Sequence, residues 1–362
     1  MTTDSGQCEQ AASAEEAGLL KLARDGDEDA FGALADAYRG ELRAHCYRIL
    51  GSVSDADDAI QETLLRAWRG LGGFEGRSSV RSWLYAIASN AALDITRHRS
   101  RRELATDFAA AAWVGTSPGP PLIDRPWLEL YPDSWLGDDV RLSPEARYEQ
   151  RESVELAFVI ALQYLPPLQR AVLLLREVVG FSTDEICSQL GTSAAAVNSA
   201  LQRARAAIRD RLPTRSQQST LRLLGDHRTA AIVSRYASAI EEGDTDTLVS
   251  MLTQDAIWSM PPMPTWFTGI EAIRQFLVSY PLAVRWKHLP ARANGQLAVG
   301  CYLFREDKGG FVPAVVDVLT MDGDKIAAVA GFHSADGLGV PPGAWIGGPE
   351  LFARFGLPAS PN

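Results

Sequence analysis

The sequence predicts a multidomain chain, with two all-α helical domains followed by an α+β cone-shaped domain. Three observations predict it. From Leu19 to about Arg102, and again from Leu165 to Leu212, apolar residues recur every three or four positions, the period of an amphipathic helix. Between these blocks, residues 103–150 are proline-dense and show no period. Beyond Leu221 two helical segments give way to β-rich runs punctuated by Asn-Gly and Asp/Gly turns, which is the order of an α+β domain. At 362 residues the chain exceeds one ordinary core, and its 46% hydrophobic content can furnish several.

Residues 1–18 are small, acidic and Ala/Ser-rich and read as a flexible N-terminus. The first domain spans 19–102. Phe31, Leu34, Tyr38, Leu42, Cys46 and Ile49 line one face of a helix over 29–50, and Gly51 closes it. Ser54 is placed to cap the next helix, whose inner stripe is Ile60, Leu64, Trp68 and Leu71. Asp57, Asp58, Gln61, Glu62, Arg66 and Arg69 face outward. The loop GGFEGRSS leads into VRSWLYAIASNAALDITRHRSRR, where Trp83 and Tyr85 sit beside Arg81 and a basic tail follows. Rings interleaved with arginines can stack an unpaired base and neutralise phosphates. Trp and Tyr on a helix serve equally well as core.

Residues 103–150 form a linker, longer than a plain loop inside a compact domain. The third segment, 151–213, holds LPPLQRAVLLLREVVGFSTDEICSQLGTSAAAVNSALQRARAAIRDRL. Pro166 and Pro167 suit a helix start, and Gly180 a left-handed stop. Ser182 and Glu185 form a capping box, Gly191 makes the turn, and Ser193 caps the second helix. Val197, Leu201, Ala204 and Ile208 point inward. That leaves Ala195, Asn198, Ser199, Gln202, Arg203 and Arg205 outward: small and amide residues first, arginines later. Such a helix suits a major groove, with base edges met by its first turns and phosphates by its last. The bland reading is a core helix with a solvated basic face.

Net charge is −10, which argues against a general polycation. Yet residues 81–102 carry five arginines against one acid, as do residues 196–215. Two basic patches in an acidic chain imply directed contact with DNA. Cys8, Cys46, Cys187 and Cys301 show no CxxC spacing, so a reducing, cytoplasmic setting is expected. No membrane association is expected, because no run of about 18 apolar residues exists.

The α+β domain spans 221–336. Its strand runs are AVRWKHLPARANG, QLAVGCYLFRE, FVPAVVDVLTMD and KIAAVAGFHSA, with hairpin turns at Asn294-Gly295, Asp307 to Gly310 and Asp322 to Lys325. A pocket between sheet and helices would draw on Trp258, Trp266, Phe276, Trp286, Asp317 and His333, with Met260, Phe267, Tyr302 and Phe332 nearby. Asp317, His288 or His333 would have to supply any acid or base. Asp317 either faces that pocket, pairs with an arginine such as Arg285 or Arg292, or sits at an exposed strand face. Residues 337–362 form a Gly/Pro-rich tail with a short apolar helix, read as a strap onto another domain.

DDAIQETLLRAW, then FEGRSSVRSWLYAIASNAALDITR, then the helix-turn-helix closely resembles region 2 followed by region 4 of bacterial sigma factors of the extracytoplasmic-function (ECF) group. The resemblance implies a transcription-initiation protein that recruits core RNA polymerase. Asp58, Gln61 and Glu62 would dock on the clamp helices of the largest subunit, and region 4 would meet the flap of the second. Phe74, Arg77 and Ser79 match the loop that receives a flipped −10 base. Trp83, Tyr85, Asn90, Asp94 and Arg97 match the helix beside the melted strand. Ser193, Ala195, Asn198, Ser199, Gln202, Arg203 and Arg205 match the reader of the −35 element. GDTDTLVSMLTQDAIW resembles the SnoaL-like branch of the nuclear transport factor 2-like superfamily. Together these imply an ECF sigma factor with a C-terminal SnoaL-like extension that regulates it intramolecularly and offers a site for a small-molecule ligand. No enzyme activity, cofactor or metal is implied. Two other classes fit parts of the chain: a ligand-responsive helix-turn-helix regulator, and a cyclase or isomerase fused to a DNA-binding module. Residues 54–102 discriminate, since a simple regulator needs neither a docking nor a melting helix.

Overall fold

The computed structural model describes residues 4–136, 144–341 and 343–361. In chain order come α1 (Asp4–Arg24), α2 (Glu28–Leu50), α3 (Val53–Gly70), α4 (Val80–Thr96), α5 (Pro144–Glu152), α6 (Leu156–Gln163), α7 (Pro167–Leu173), α8 (Thr183–Leu190) and α9 (Ala194–Arg209). Then follow α10 (Gln217–Leu224), α11 (Asp226–Glu241), α12 (Thr245–Ser250), β1 (Leu252–Ser259), β2 (Trp266–Thr268) and α13 (Ile270–Ser279). The chain ends with β3 (Trp286–Ala293), β4 (Gln296–Arg305), β5 (Gly310–Asp322), β6 (Lys325–His333), α14 (Ala335–Leu338) and α15 (Gly348–Arg354). Two compact units result. One joins Met1–Ser100 to Tyr164–Arg209, and the other joins Arg101–Gln163 to Asp210–Asn362.

In the helical unit, apolar stripes bury Tyr47, Ile49 and Leu84 almost completely. Helix α1 begins at Asp4 and so runs through most of the stretch expected to be flexible. Gly51 stops α2 at φ 67°. The cap of α3 is Ser52, whose hydroxyl accepts from Asp55 N at 3.1 Å. Ser54, the expected cap, lies in the first turn, its hydroxyl 3.0 Å from that of Ser52. In the helix-turn-helix, the capping box of Ser182 and Glu185 is complete in both directions, and Gly191 turns the chain at φ 61°. Between α7 and α8, Leu174–Val178 widens into a π-turn, a local insertion that the apolar run concealed. Arg170, 5% exposed, ties this segment to α2 by donating to the carbonyls of Ile49 and Leu165.

The second unit is built on one twisted sheet of order β2-β1-β6-β5-β4-β3. Its strands pair antiparallel except β1 with β6. The β3–β4 hairpin turns on Asn294 at φ 54° and Gly295 at φ 68°, the left-handed pair a two-residue hairpin requires. Apolar residues of α11, α12 and α13 share one core with one sheet face. The far face carries the C-terminal tail: Phe352 is fully buried against Tyr302, ring centroids 4.8 Å apart. The tail expected to strap another domain therefore covers its own sheet.

The linker differs most from expectation. Far from being a tether, it is packed core: Trp127, Leu128, Leu130 and Tyr131 are each at most 4% exposed. Ala112 N donates to Trp266 O at 2.8 Å, Leu122 N to Pro262 O at 2.8 Å and Gly119 N to Thr265 Oγ1 at 2.8 Å. Asn294 fastens the far end, accepting from Tyr131 N at 2.8 Å and donating to Val154 O at 2.7 Å. Glu155 caps α10 by accepting from Gln217 N and Gln218 N at 2.9 and 2.7 Å. Irregular backbone that hydrogen-bonds to a sheet edge buries aromatic residues without any period. Linker residues 137–143 lie outside the described residues.

Candidate nucleic-acid interface and cavity

Helix α9 buries Val197, Ala200, Leu201, Ala204 and Ile208. Its other face carries the predicted set. Ser193, Ala195, Asn198, Gln202, Arg203 and Arg205 are exposed and Ser199 is half-buried. Arg203 reaches back to the Ser199 hydroxyl at 2.5 Å and Arg205 pairs with Glu177 at 2.5 Å. Such exposed pairs cost little to exchange for phosphate. Asn198 and Gln202 present amides of the kind that read adenine edges.

On α3, Asp58 and Gln61 are exposed. Glu62 is half-buried and takes Arg66 at 2.6 Å, while the same guanidinium holds Asp94 at 3.1 Å and Asp94 holds Arg97 at 2.8 Å. Two residues placed in different roles by sequence thus end one chain of charges.

The region around α4 is more closed than expected. Phe74 is 8% exposed, lies 4.8 Å from the Trp83 ring and has the Arg24 guanidinium above it. Arg77 is exposed beside Glu75, and Ser79 caps α4. Tyr85, expected beside a melted strand, is 2% exposed. Its hydroxyl donates to Glu41 at 3.1 Å, its ring meets Phe181 edge-on, and burial pushes its phenol far up. It is core here because Glu41, which sequence reasoning passed over, gives the buried hydroxyl an acceptor. Glu41 also holds Arg81 at 2.9 Å. The signal was an acid amid the inner stripe of α2. Asn90 remains exposed but donates to Gln189 O at 3.2 Å, and Gln189 donates to Ser82 at 2.9 Å. Helix α8 thus sits on α4.

The sheet unit holds a cavity of about 230 Å³ walled by Trp258, Met260, Phe276, Trp286, Leu303 and Val315, with Asp317 and His333 among its polar lining. Trp266 is not part of it, since its indole N–H instead donates to Ala109 O of the linker at 2.9 Å. Tyr302 faces the tail and donates to Pro358 O at 2.8 Å. Neither Arg285 nor Arg292 pairs with Asp317. Its Oδ2 accepts from Tyr236 Oη at 2.8 Å and from Cys301 Sγ at 3.3 Å. Burial pushes this carboxyl up to about 6 against those two donors. Burial likewise drives His333 down to about 4, leaving a neutral ring. His288 also lines the cavity, but its Nδ1 lies 3.2 Å from Glu241. Among the described residues no His/Cys/Asp/Glu cluster is disposed to hold a metal, and no helix is long and apolar enough to cross a membrane.

Residues 34–102 match the family model for sigma-70 region 2, residues 156–208 that for sigma-70 region 4, and residues 233–329 that for the SnoaL-like domain. The chain is 39% identical over 336 residues to the ECF RNA polymerase sigma factor SigG of Mycobacterium tuberculosis, covering 91% of this chain and 84% of that relative. The chain belongs to the ECF sigma factors. This sigma factor is also 28% identical over 193 residues to the ECF RNA polymerase sigma factor SigW of Bacillus subtilis, a match that spans 53% of this chain and 94% of SigW. Its fold resembles the crystal structure of the M. tuberculosis ECF sigma factor SigJ, with TM-score 0.51, 23% identity, and coverage of 84% and 97% of the two chains. Helix α6 falls inside the region 4 match, yet in this sigma factor it belongs to the sheet unit.

Proposed function

We propose that the helical unit of this sigma factor brings core RNA polymerase to promoter DNA while its C-terminal domain regulates it from within the chain. Helix α9 reads the −35 element through Ser193, Ala195, Asn198, Ser199, Gln202, Arg203 and Arg205. The Phe74–Ser79 loop with Trp83, Asn90, Asp94 and Arg97 of α4 serves the −10 element. Asp58, Gln61 and Glu62 meet the clamp helices of the largest subunit, and region 4 meets the flap of the second. Tyr85 joins the −10 surface only by leaving Glu41 and Phe181, which hold it in the core. No bond is made or broken by the protein. Its cavity supplies a binding site for a small molecule, since Asp317 and His288 are already engaged by neighbours.

One observation carries the regulatory part. The segment joining region 2 to region 4 is folded into the C-terminal unit, so the tether between the two promoter readers depends on that domain's state. Run-off transcription with core polymerase on a −35/−10 template tests both parts. Asn198→Ala with Arg203→Ala should cut transcripts roughly tenfold or more, from the loss of about 1–3 kcal/mol per base-edge contact, with core binding unchanged. Trp266→Phe with Thr265→Val, which removes two linker bonds, should shift transcript amount about threefold or more, a coupling of about 0.7 kcal/mol. Unaltered transcripts from the first pair refute the −35 assignment, and from the second the regulatory role.

A further inference from the structure

We propose that the C-terminal cavity binds an uncharged, ring-bearing alcohol or phenol, whose hydroxyl is held by Asp317 and His333. Its use as an effector rests on the regulatory reading above, while binding itself does not.

Size and walls set the body of the ligand. A cavity of about 150 Å³ admits benzene, so about 230 Å³ admits one or two rings. Trp258, Phe276 and Trp286 supply flat apolar walls. The rim is apolar as well: Tyr280 and Val284 line the cavity while staying 39% and 47% exposed. Apolar residues held at a mouth give an apolar ring a route in.

The floor sets the polar group. On adjacent strands, Asp317 lies opposite Gly331 and Val315 opposite His333. Cross-strand partners share a face, so Asp317 and His333 are diagonal neighbours within reach of one small group. Gly331 keeps the approach open, since a Cβ there would stand 2.8 Å from Asp317 Oδ1. Both donors to Asp317 use Oδ2, and among the described residues none donates to Oδ1. His333 Nδ1 is buried with no partner. An acceptor and a ring nitrogen are thus left unmatched in an apolar chamber, which costs free energy until a ligand satisfies them.

Matching them decides the class. A hydroxyl donates and accepts at once, so it serves the carboxylate oxygen and the imidazole together. With the ring proton on Nδ1, an ammonium offers it no acceptor, and a carboxylate offers Oδ1 no donor while adding like charge. At pH 7.5 Asp317 is ionised and His333 neutral, which keeps one acceptor and one neutral ring available. Pro118 of the linker is one of the walls, so the occupant touches the segment that joins the two promoter readers.

Titration calorimetry of the full chain at pH 7.5 tests this with 2-naphthol, naphthalene, 2-naphthoate and 2-naphthylmethylammonium. The expected result is one site for 2-naphthol with Kd below about 100 μM, equivalent to about −5.5 kcal/mol. The other three should bind at least roughly tenfold more weakly. Naphthalene matching 2-naphthol overturns the roles of Asp317 and His333. Either ion matching it overturns the ligand class, and no heat up to about 1 mM overturns the site. Asp317→Asn should weaken 2-naphthol roughly tenfold. Leu303→Trp, which fills the cavity from a half-buried position, should abolish binding with an unchanged thermal melt. Undiminished binding in both variants overturns the location. Transcription on a promoter template involves none of these probes, so the sigma reading stands or falls separately.

Discussion

The polar side chains expected to meet partners and those that hold the sheet unit together are placed in opposite ways. The expected contact residues of the helical unit lie at the surface: Asn198, Gln202 and Arg203 are exposed, and the pairs around Arg66 and Arg205 are half in water, while Arg170, Gln189 and Tyr85 make buried bonds within that unit's fold. In the sheet unit the linking polar groups are inside. Asn294, Gln296 and Gln217 are at most 4% exposed, and each bonds one segment of chain to another. The first arrangement leaves chemistry free for a partner, and the second spends it on assembly. Changing one of these exposed residues should therefore cost little stability, and changing one of these buried linking residues much.

Asn294→Ala is the severest test. It orphans Tyr131 N and Val154 O, each worth about 1–3 kcal/mol when buried without a partner. It also places alanine at φ 54°, where an ordinary residue is strained by about 1 kcal/mol. A loss of about 4 kcal/mol is expected in urea unfolding followed by tryptophan fluorescence. Asn294→Gly, relaxed at that φ, should recover about 1 kcal/mol of it. A loss below about 1 kcal/mol would mean that the linker is not held as the geometry implies.

Asp317 sharpens the same contrast through pH. Its carboxyl is raised from the ordinary 3.8 to about 6 by burial, so the fold holds the proton more tightly than the unfolded chain does. Stability from this group is therefore greatest below about pH 4 and falls as pH rises to about 6, by about 3 kcal/mol in all. Asp317→Asn removes that dependence. The stability difference should move in favour of the variant by about 2 kcal/mol between pH 4 and 6.5 and stay nearly flat above. His333, held down at about 4, and Glu155, raised to about 7, titrate in both proteins and cancel. A pH-independent difference would mean that Asp317 is solvated.

The same contrast explains what the sequence could show. Helices α2, α3, α4, α8 and α9 were legible because each has one wet face, and wet faces leave a period. The exposed set on α9 followed from its inner stripe. Ser52 and Ser54 are both plausible caps, and only the backbone of Gly51 and Ser52 separates them. The burial of Tyr85 was illegible because it depends on Glu41, 44 positions away in sequence. The linker was illegible for a stronger reason: Trp127 and Tyr131 are buried by irregular backbone against a strand edge, and no local pattern encodes that. The strands of the cone were readable from their turns. The partners of Asp317 were not, because Tyr236 and Cys301 come from two other elements.

Ser182→Ala probes the quiet side of the comparison. The Ser182 hydroxyl accepts from Glu185 N at 3.2 Å, and the Glu185 carboxylate accepts from Ser182 N at 2.8 Å. Bonds from Ser182 backbone and hydroxyl hold the Glu185 carboxyl below its ordinary range. All of this sits in water, so losing the cap should cost about 1 kcal/mol, as faster hydrogen exchange confined to α8. Because α8 is hydrogen-bonded to Ser82 and Asn90 of α4, the loosened cap should also speed exchange at that contact while leaving the sheet unit untouched. A loss above about 3 kcal/mol, or exchange that spreads into the cone, would show that exposed polar groups in the helical unit carry as much of the fold as buried ones do in the other.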